Sequence, residues 1–131
     1  AGHRIGTAEI EDAAVAHPAV AEAAVTSRPD AVKGEAIILF ITLKKGITPS
    51  QALRGELGQH IRQTVGAFAA PEAIHFVDSL PKTRSGKIMR RVLKAVASGS
   101  SVGDLTTLEN EASVEEIRKA FEDLSRAASG N

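Results

Sequence analysis

Between Pro81 and Val92 runs the string Lys82-Thr83-Arg84-Ser85-Gly86-Lys87-Ile88-Met89-Arg90-Arg91, in which five of the ten residues are Lys or Arg. Cations gathered around a Ser-Gly pair suit the handling of an anion, because glycine lets the backbone turn tightly and approach a ligand closely. The apolar residues Ile88, Met89, Val92, Leu93 and Val96 recur at helical spacing, which predicts a helix over 87–97 with Ser85 or Gly86 near its start. Lys87 then falls at a helix N-terminus. The dipole disfavours a cation there, so its ammonium gains little from the fold and stays available to a ligand. The alternative is a solvated basic loop, as most charge runs are. A Walker A phosphate loop is excluded, since it needs Gly five residues before Gly86 and Ser or Thr after the lysine, where this chain has Pro81 and Ile88.

The remaining composition narrows the chemistry. With no cysteine among 131 residues, a disulfide, a thiol nucleophile and a thiolate metal site are all excluded. His60 and His75 lack metal-ligand spacing, and His75 lies in an apolar stretch where a structural role is expected. The net charge of zero hides an uneven distribution. Residues 72–95 carry six bases against two acids, a net of +4, whereas 104–126 carry seven acids against three bases, a net of −4. A basic surface set against an acidic tail fits a small polyanion. It fits nucleic acid less well, because four Phe and no Tyr or Trp leave few stacking platforms. No run of about 18 apolar residues exists, so no membrane span is expected, and the first residues lack the basic start and apolar stretch of a signal peptide.

The elements that must position the basic loop are legible from periodicity. Residues 7–16 read as a helix with Glu9 and Glu11 in its first turn and Pro18 as its stop. A short strand is expected over 21–27, with Arg28-Pro29-Asp30 opening a loop, and a continuous apolar strand over 36–43, ended by Lys44-Lys45-Gly46. Thr48-Pro49-Ser50-Gln51 reads as a capping box with Pro at the first helical position. Leu53, Leu57, Ile61 and Val65 then share one helix face, and Gly66 is the stop. A third strand is expected over 73–77 and, after the helix at 87–97, a linker over 98–103. Ser113-Val114-Glu115-Glu116 is a second capping box, with Ile117, Phe121 and Leu124 on one stripe. The order helix, strand, strand, helix, strand, helix, plus an appended helix, predicts an α+β fold: a sheet of about three strands covered by helices around one core.

The string from Pro81 to Arg91 closely resembles the C-terminal signature of the acyl-adenylate-forming enzymes, and in this full form it is similar to that of the acetyl-CoA synthetase family. The stretch Gly2-His3-Arg4-Ile5-Gly6-Thr7-Ala8-Glu9-Ile10-Glu11 agrees, as does Ser79-Leu80 leading into the lysine loop. The resemblance spans residues 1 to about 108, with 109–131 as a helical extension, and propionyl-CoA synthetases share the signature. It implies the small mobile domain of an AMP-forming ligase that works with a large N-terminal domain on ATP, acetate and CoA, in the cytoplasm and without a nucleic-acid or membrane partner. Alone, such a domain is expected to be inactive.

The resemblance also implies residue roles. Lys87 matches the lysine that bridges carboxylate and adenylate oxygens during adenylation, where a mobile cation orients two mutually repelling anions. Arg4 matches an arginine on the ATP phosphate side, Gly2 a glycine that lets pantetheine pass, and Arg62 an arginine that binds CoA. Ala1 departs from the serine usual before that glycine. Val15, His17 and Val20 match positions that hold Mg2+ through backbone oxygens, His17 not acting through its imidazole; the alternative is a satisfied helix end before Pro18. Lys87 further matches a position regulated by acetylation, which implies a GNAT-type acetyltransferase and a sirtuin-type deacetylase as partners. A reading of another class is a recognition module for lysine-modifying enzymes.

Overall fold

In the computed structural model, residues 6–32, 34–100 and 113–130 are described. Helix α1 spans Thr7–Val15, strand β1 Val20–Asp30 and strand β2 Gly34–Leu43. They are followed by helix α2 at Gln51–Val65, a 3-10 turn at Ala67–Ala69, strand β3 at Ala73–Phe76, helix α3 at Arg90–Ser98 and helix α4 at Val114–Gly130. The expected α+β architecture and element order are therefore present.

Strand β2 is the centre of a three-stranded sheet, paired antiparallel with β1 and parallel with β3. Its run Ile38, Leu39, Phe40 and Ile41 is fully buried, as a continuous apolar strand requires when both faces of the sheet are covered. Because side chains alternate along a strand, Ile38 and Phe40 pack with Met89, Val92 and Leu93 near and within α3, and with Ile117 and Leu124 of α4. Leu39 and Ile41 pack on the other face with Ile10 and Ala14 of α1 and Leu57 and Ile61 of α2. Each fully buried Leu or Ile contributes about 1.5–3 kcal/mol relative to exposure. The result is two helical layers, α1 with α2 and α3 with α4, on opposite faces of one sheet.

Several boundaries differ from the sequence expectation, each for a local reason. Arg28-Pro29-Asp30 is not a loop but the end of β1, paired with Ala36, Glu35 and Gly34. Proline is tolerated because β1 is an edge strand and needs no amide on its free side. The cap of α2 is Ser50, whose hydroxyl accepts from the Leu53 amide at 3.0 Å, two residues later than Thr48. Strand β3 stops at Phe76, one residue early. Helix α3 begins at Arg90, not Lys87, because the amides before it are used in a hairpin described below. The capping box on α4 is present in both directions: the Ser113 amide donates to Glu116 Oε1 at 2.9 Å and the Glu116 amide to Ser113 Oγ at 3.1 Å. Residues 101–103 of the expected linker, and the boundary at 108–109, lie outside the described residues.

Hydrogen bonding from the Ser113 backbone and hydroxyl, with Arg84 nearby, holds the Glu116 carboxyl below the usual carboxylate range. A carboxylate depressed in the folded state contributes stability above its unfolded pKa and loses it as pH falls through the folded value. The α4 cap should accordingly loosen only in acid. An NMR titration of the Glu116 side-chain carbonyl should give a midpoint below that of an ordinary glutamate, and Ser113→Ala should raise it; an ordinary midpoint in the unmodified chain would remove the effect.

Candidate functional site

The chain leaves β3 and buries Leu80, then emerges and returns to bury Met89. Between these two apolar anchors a short hairpin stands out from the core. Lys82 and Ile88 form an antiparallel bridge, Met89 N–H donates to Pro81 O at 2.9 Å, Thr83 N–H donates to Lys87 O at 2.8 Å, and Gly86 N–H donates to Thr83 O at 2.9 Å. The loop proper is thus the three residues Arg84-Ser85-Gly86, with Gly86 at φ +90°. A three-residue hairpin loop asks for this left-handed residue before the returning strand, and glycine adopts it without strain.

Lys87 is the first residue after that glycine, is exposed, and lies three residues before α3. The expected helix N-terminus is therefore not what sets it apart; the hairpin is. The other bases of the segment are tethered. Lys82 Nζ reaches Glu22 at 2.6 Å, Arg84 Nη2 reaches Glu116 at 3.2 Å, and Lys94 Nζ lies 3.4 Å from Ser27 O and Oγ. Arg90 donates from Nη1 and Nη2 to the two oxygens of Glu11 at 2.7 and 3.1 Å. Glu11 also accepts the Val25 amide at 2.8 Å, so one carboxylate clasps α1, β1 and α3. Hydrogen bonding to Glu11 raises the Arg90 pKa against its partial burial, and it compensates a cation held at the first residue of α3, where the dipole opposes it. Among the described residues, the Lys87 ammonium makes no hydrogen bond or ion pair.

Arg62 lies exposed in the last turn of α2, its side chain without a bonded partner among the described residues, and α2 packs on the opposite face of the sheet from α3. The structure does not bring Arg62 and Lys87 into one cluster. Gly2 and Arg4 lie outside the described residues.

Val15, His17 and Val20 fall together where α1 ends and β1 begins. The amides that follow Val15 are directed elsewhere: Ala16 and His17 donate back to Asp12 and Ala14, Pro18 has none, Ala19 donates to His17 Nδ1 at 3.1 Å, and Val20 donates to His17 O at 3.1 Å. The Val15 carbonyl is thereby left over at the negative end of α1, which suits a hard cation. The imidazole of His17 is occupied. Nδ1 accepts, so its proton is on Nε2, facing Glu56. His60 donates from Nε2 to Ala13 O at 2.8 Å, and the His75 ring lies tilted against Phe40 with centroids 5.3 Å apart. Among the described residues, no group of three or more acidic, His or Cys side chains could hold a metal. No helix among them is long and apolar enough to cross a membrane.

A separate open groove of about 830 Å³ lies beside the middle of β1, lined by Ile10, Val25, Ser27, Phe68, Arg91 and Lys94 among others; Lys87 does not line it. The basic segment therefore borders two separate places. The Glu11 clasp and this groove had no sequence signal, because Glu11 and Arg90 are 79 positions apart and the groove is likewise lined from both ends of the chain's folded core, from Thr7 to Lys94.

The AMP-binding enzyme C-terminal domain model matches residues 9–87. The chain is 62% identical over 130 residues to an acetyl-coenzyme A synthetase of Pyrobaculum arsenaticum, a match covering 99% of this chain and 19% of that protein. It is 57% identical over 129 residues to a 3-hydroxypropionyl-coenzyme A synthetase of Sulfurisphaera tokodaii, covering 98% of this chain and 19% of that protein. The chain thus spans about a fifth of the length of these relatives. Among solved structures, an acyl-CoA synthetase of Brucella canis superposes with a TM-score of 0.68 at 43% identity, over 71% of this chain and 17% of that one.

Proposed function

This chain belongs to the AMP-binding enzyme C-terminal domain family, and on that premise we propose that it is the mobile C-terminal part of an AMP-forming acetyl-CoA synthetase. Residues 1–108 are the mobile domain and 109–131 a helical extension. The reaction is ATP, acetate and CoA to acetyl-CoA, AMP and pyrophosphate, in two steps: acetate attacks the α-phosphate of ATP, and the CoA thiol then displaces AMP. The observation that carries this reading is the exposed Lys87 ammonium on a hydrogen-bonded hairpin, without a partner among the described residues while its basic neighbours are tethered.

In the first step Lys87 reaches into the large N-terminal domain and bridges the acetate carboxylate and the α-phosphate, stabilising charge that develops in the transition state. Arg4 contacts the phosphate side of ATP. In the second step the domain presents another surface, where Gly2 leaves room for pantetheine and Arg62 binds CoA. The placement of Lys87 and Arg62 on opposite faces of the sheet supports a separate use for each. Mg2+ would be held by backbone oxygens of Val15, His17 and Val20, where it supplies hard positive charge at the end of α1. The working partners are the large domain and small molecules, in the cytoplasm. Relatives named for acetate and for 3-hydroxypropionate are 62% and 57% identical to this domain, so a propionyl-CoA or other short-chain synthetase is the alternative.

In the full-length enzyme, Lys87→Ala should lower ATP–pyrophosphate exchange by about 100- to 1,000-fold, as the loss of one preorganised donor does. Thioester formation from supplied acetyl-AMP should largely survive. Arg62→Ala should do the reverse, raising the KM for CoA with exchange nearly unchanged. Equal losses of both half-reactions in either variant would count against its assignment.

Lys87 is also the proposed target of reversible acetylation, which would erase the charge that adenylation requires. A GNAT-type acetyltransferase could dock its acidic surface on the flanking bases, and a sirtuin-type deacetylase would reverse the modification; as a recognition module the domain would need no catalysis of its own. Treating the chain with such an acetyltransferase and acetyl-CoA, then mapping the modified peptide, should return Lys87. Modification mainly at Lys44, Lys45 or Lys119 would defeat this regulatory reading.

A further inference from the structure

We propose that Thr83 is a positioning residue for Lys87, an inference that rests on the adenylation role given to Lys87 above. A lysine on an exposed loop is flexible in its four-carbon stem, so what the protein can control is where the Cα sits and which way the Cβ leaves it. At this hairpin that control converges on Thr83, which is nearly buried at 8% exposure while Arg84, Ser85, Gly86 and Lys87 are all exposed. Its backbone makes the two bonds that close the loop, donating to Lys87 O at 2.8 Å and accepting from Gly86 N–H at 2.9 Å. Its side chain adds two more. Oγ1 accepts the Lys87 amide proton at 3.1 Å and lies 3.0 Å from Ser85 Oγ, with which it shares a hydrogen bond.

The backbone pair would close a hairpin around almost any residue at position 83. The hydroxyl does something different: it fixes the amide plane that enters Lys87, immediately after a glycine whose backbone is free to swing. A β-branched side chain has few χ1 states, so Oγ1 is already aimed when the loop forms. Lys87 is then presented from a set Cα, and less orientational freedom remains to be lost when its ammonium meets two anions. A displacement of about 1 Å from the reacting groups can cost about 100-fold in rate, and this is the scale on which a loosened turn would be felt.

Thr83→Val keeps the shape and the branched Cβ while deleting both side-chain hydrogen bonds, and Thr83→Ser keeps the hydroxyl. In the full-length enzyme, Thr83→Val should lower kcat for ATP–pyrophosphate exchange by about 10- to 100-fold, leave thioester formation from acetyl-AMP and CoA close to the unmodified rate, and speed hydrogen exchange at the Lys87 amide. Thr83→Ser should recover most of the exchange activity and the amide protection. If Thr83→Val exchanges normally while Lys87→Ala does not, the proposal is overturned and the role of Lys87 stands. If Thr83→Val slows both half-reactions alike and Thr83→Ser fails to restore the first, Thr83 only supports the fold and the proposal is again overturned. If Lys87→Ala itself leaves exchange intact, the reading beneath both is wrong.

Discussion

Everything else in this domain depends on one strand that must be hidden from both sides. Ile38, Leu39, Phe40 and Ile41 of β2 are all fully buried, and because neighbouring side chains point to opposite faces, no single layer of helices could cover them. The sheet is consequently sandwiched: Leu39 and Ile41 call for α1 and α2, Ile38 and Phe40 for α3 and α4. Two helical layers give the domain two chemically distinct sides. The proposed adenylation lysine leads into one layer, and the proposed CoA arginine sits on the other.

The catalytic proposal adds a second constraint, the need for a cation that is held firmly but left unpaired. The protein meets it by neutralising the bases around Lys87. Glu22, Glu11 and Glu116 take Lys82, Arg90 and Arg84. The Lys82–Glu22 and Arg84–Glu116 pairs are exposed and contribute little to stability, whereas Glu11 is mostly buried and held by both nitrogens of Arg90. The effect of these pairs on the loop is more specific: they remove the neighbouring side chains from competition, tie the hairpin to β1 and α4, and tie the start of α3 to α1.

The strongest sequence signals were those in which one short stretch carries its own physics. The apolar run over 36–43 declared a strand, the Leu57 and Ile61 spacing declared one face of α2, and the Ser113–Glu116 capping box declared the start of α4; all are present. Signals that compete locally were misread. Pro29 looked like a loop because nothing in the sequence says which strand will lie at the edge of the sheet. Ile88 and Met89 fitted the helical period of Val92 and Val96, yet Lys82 captured Ile88 in a bridge and Pro81 captured the Met89 amide. A hairpin can hold those residues because Met89 is buried in the same cluster either way.

From sequence alone, the α+β order, the identity of the basic loop and the prominence of Lys87 within it could be read, since residue type and near-neighbour spacing encode them directly. Tertiary structure alone decided that Lys87 stands on a turn rather than a helix end. It also decided that Thr83 organises that turn, that Glu11 clasps Arg90 across 79 positions, and that Arg62 lies on the far side of the sheet. The turn, though closed locally between Thr83 and Lys87 and between Lys82 and Ile88, is held where the buried Leu80 and Met89 join the core. The Glu11 clasp and the place of Arg62 depend on pairings between segments distant in the chain. Such pairings follow from burying β2 on both faces, a demand satisfied by the whole fold and not by any local run of residues.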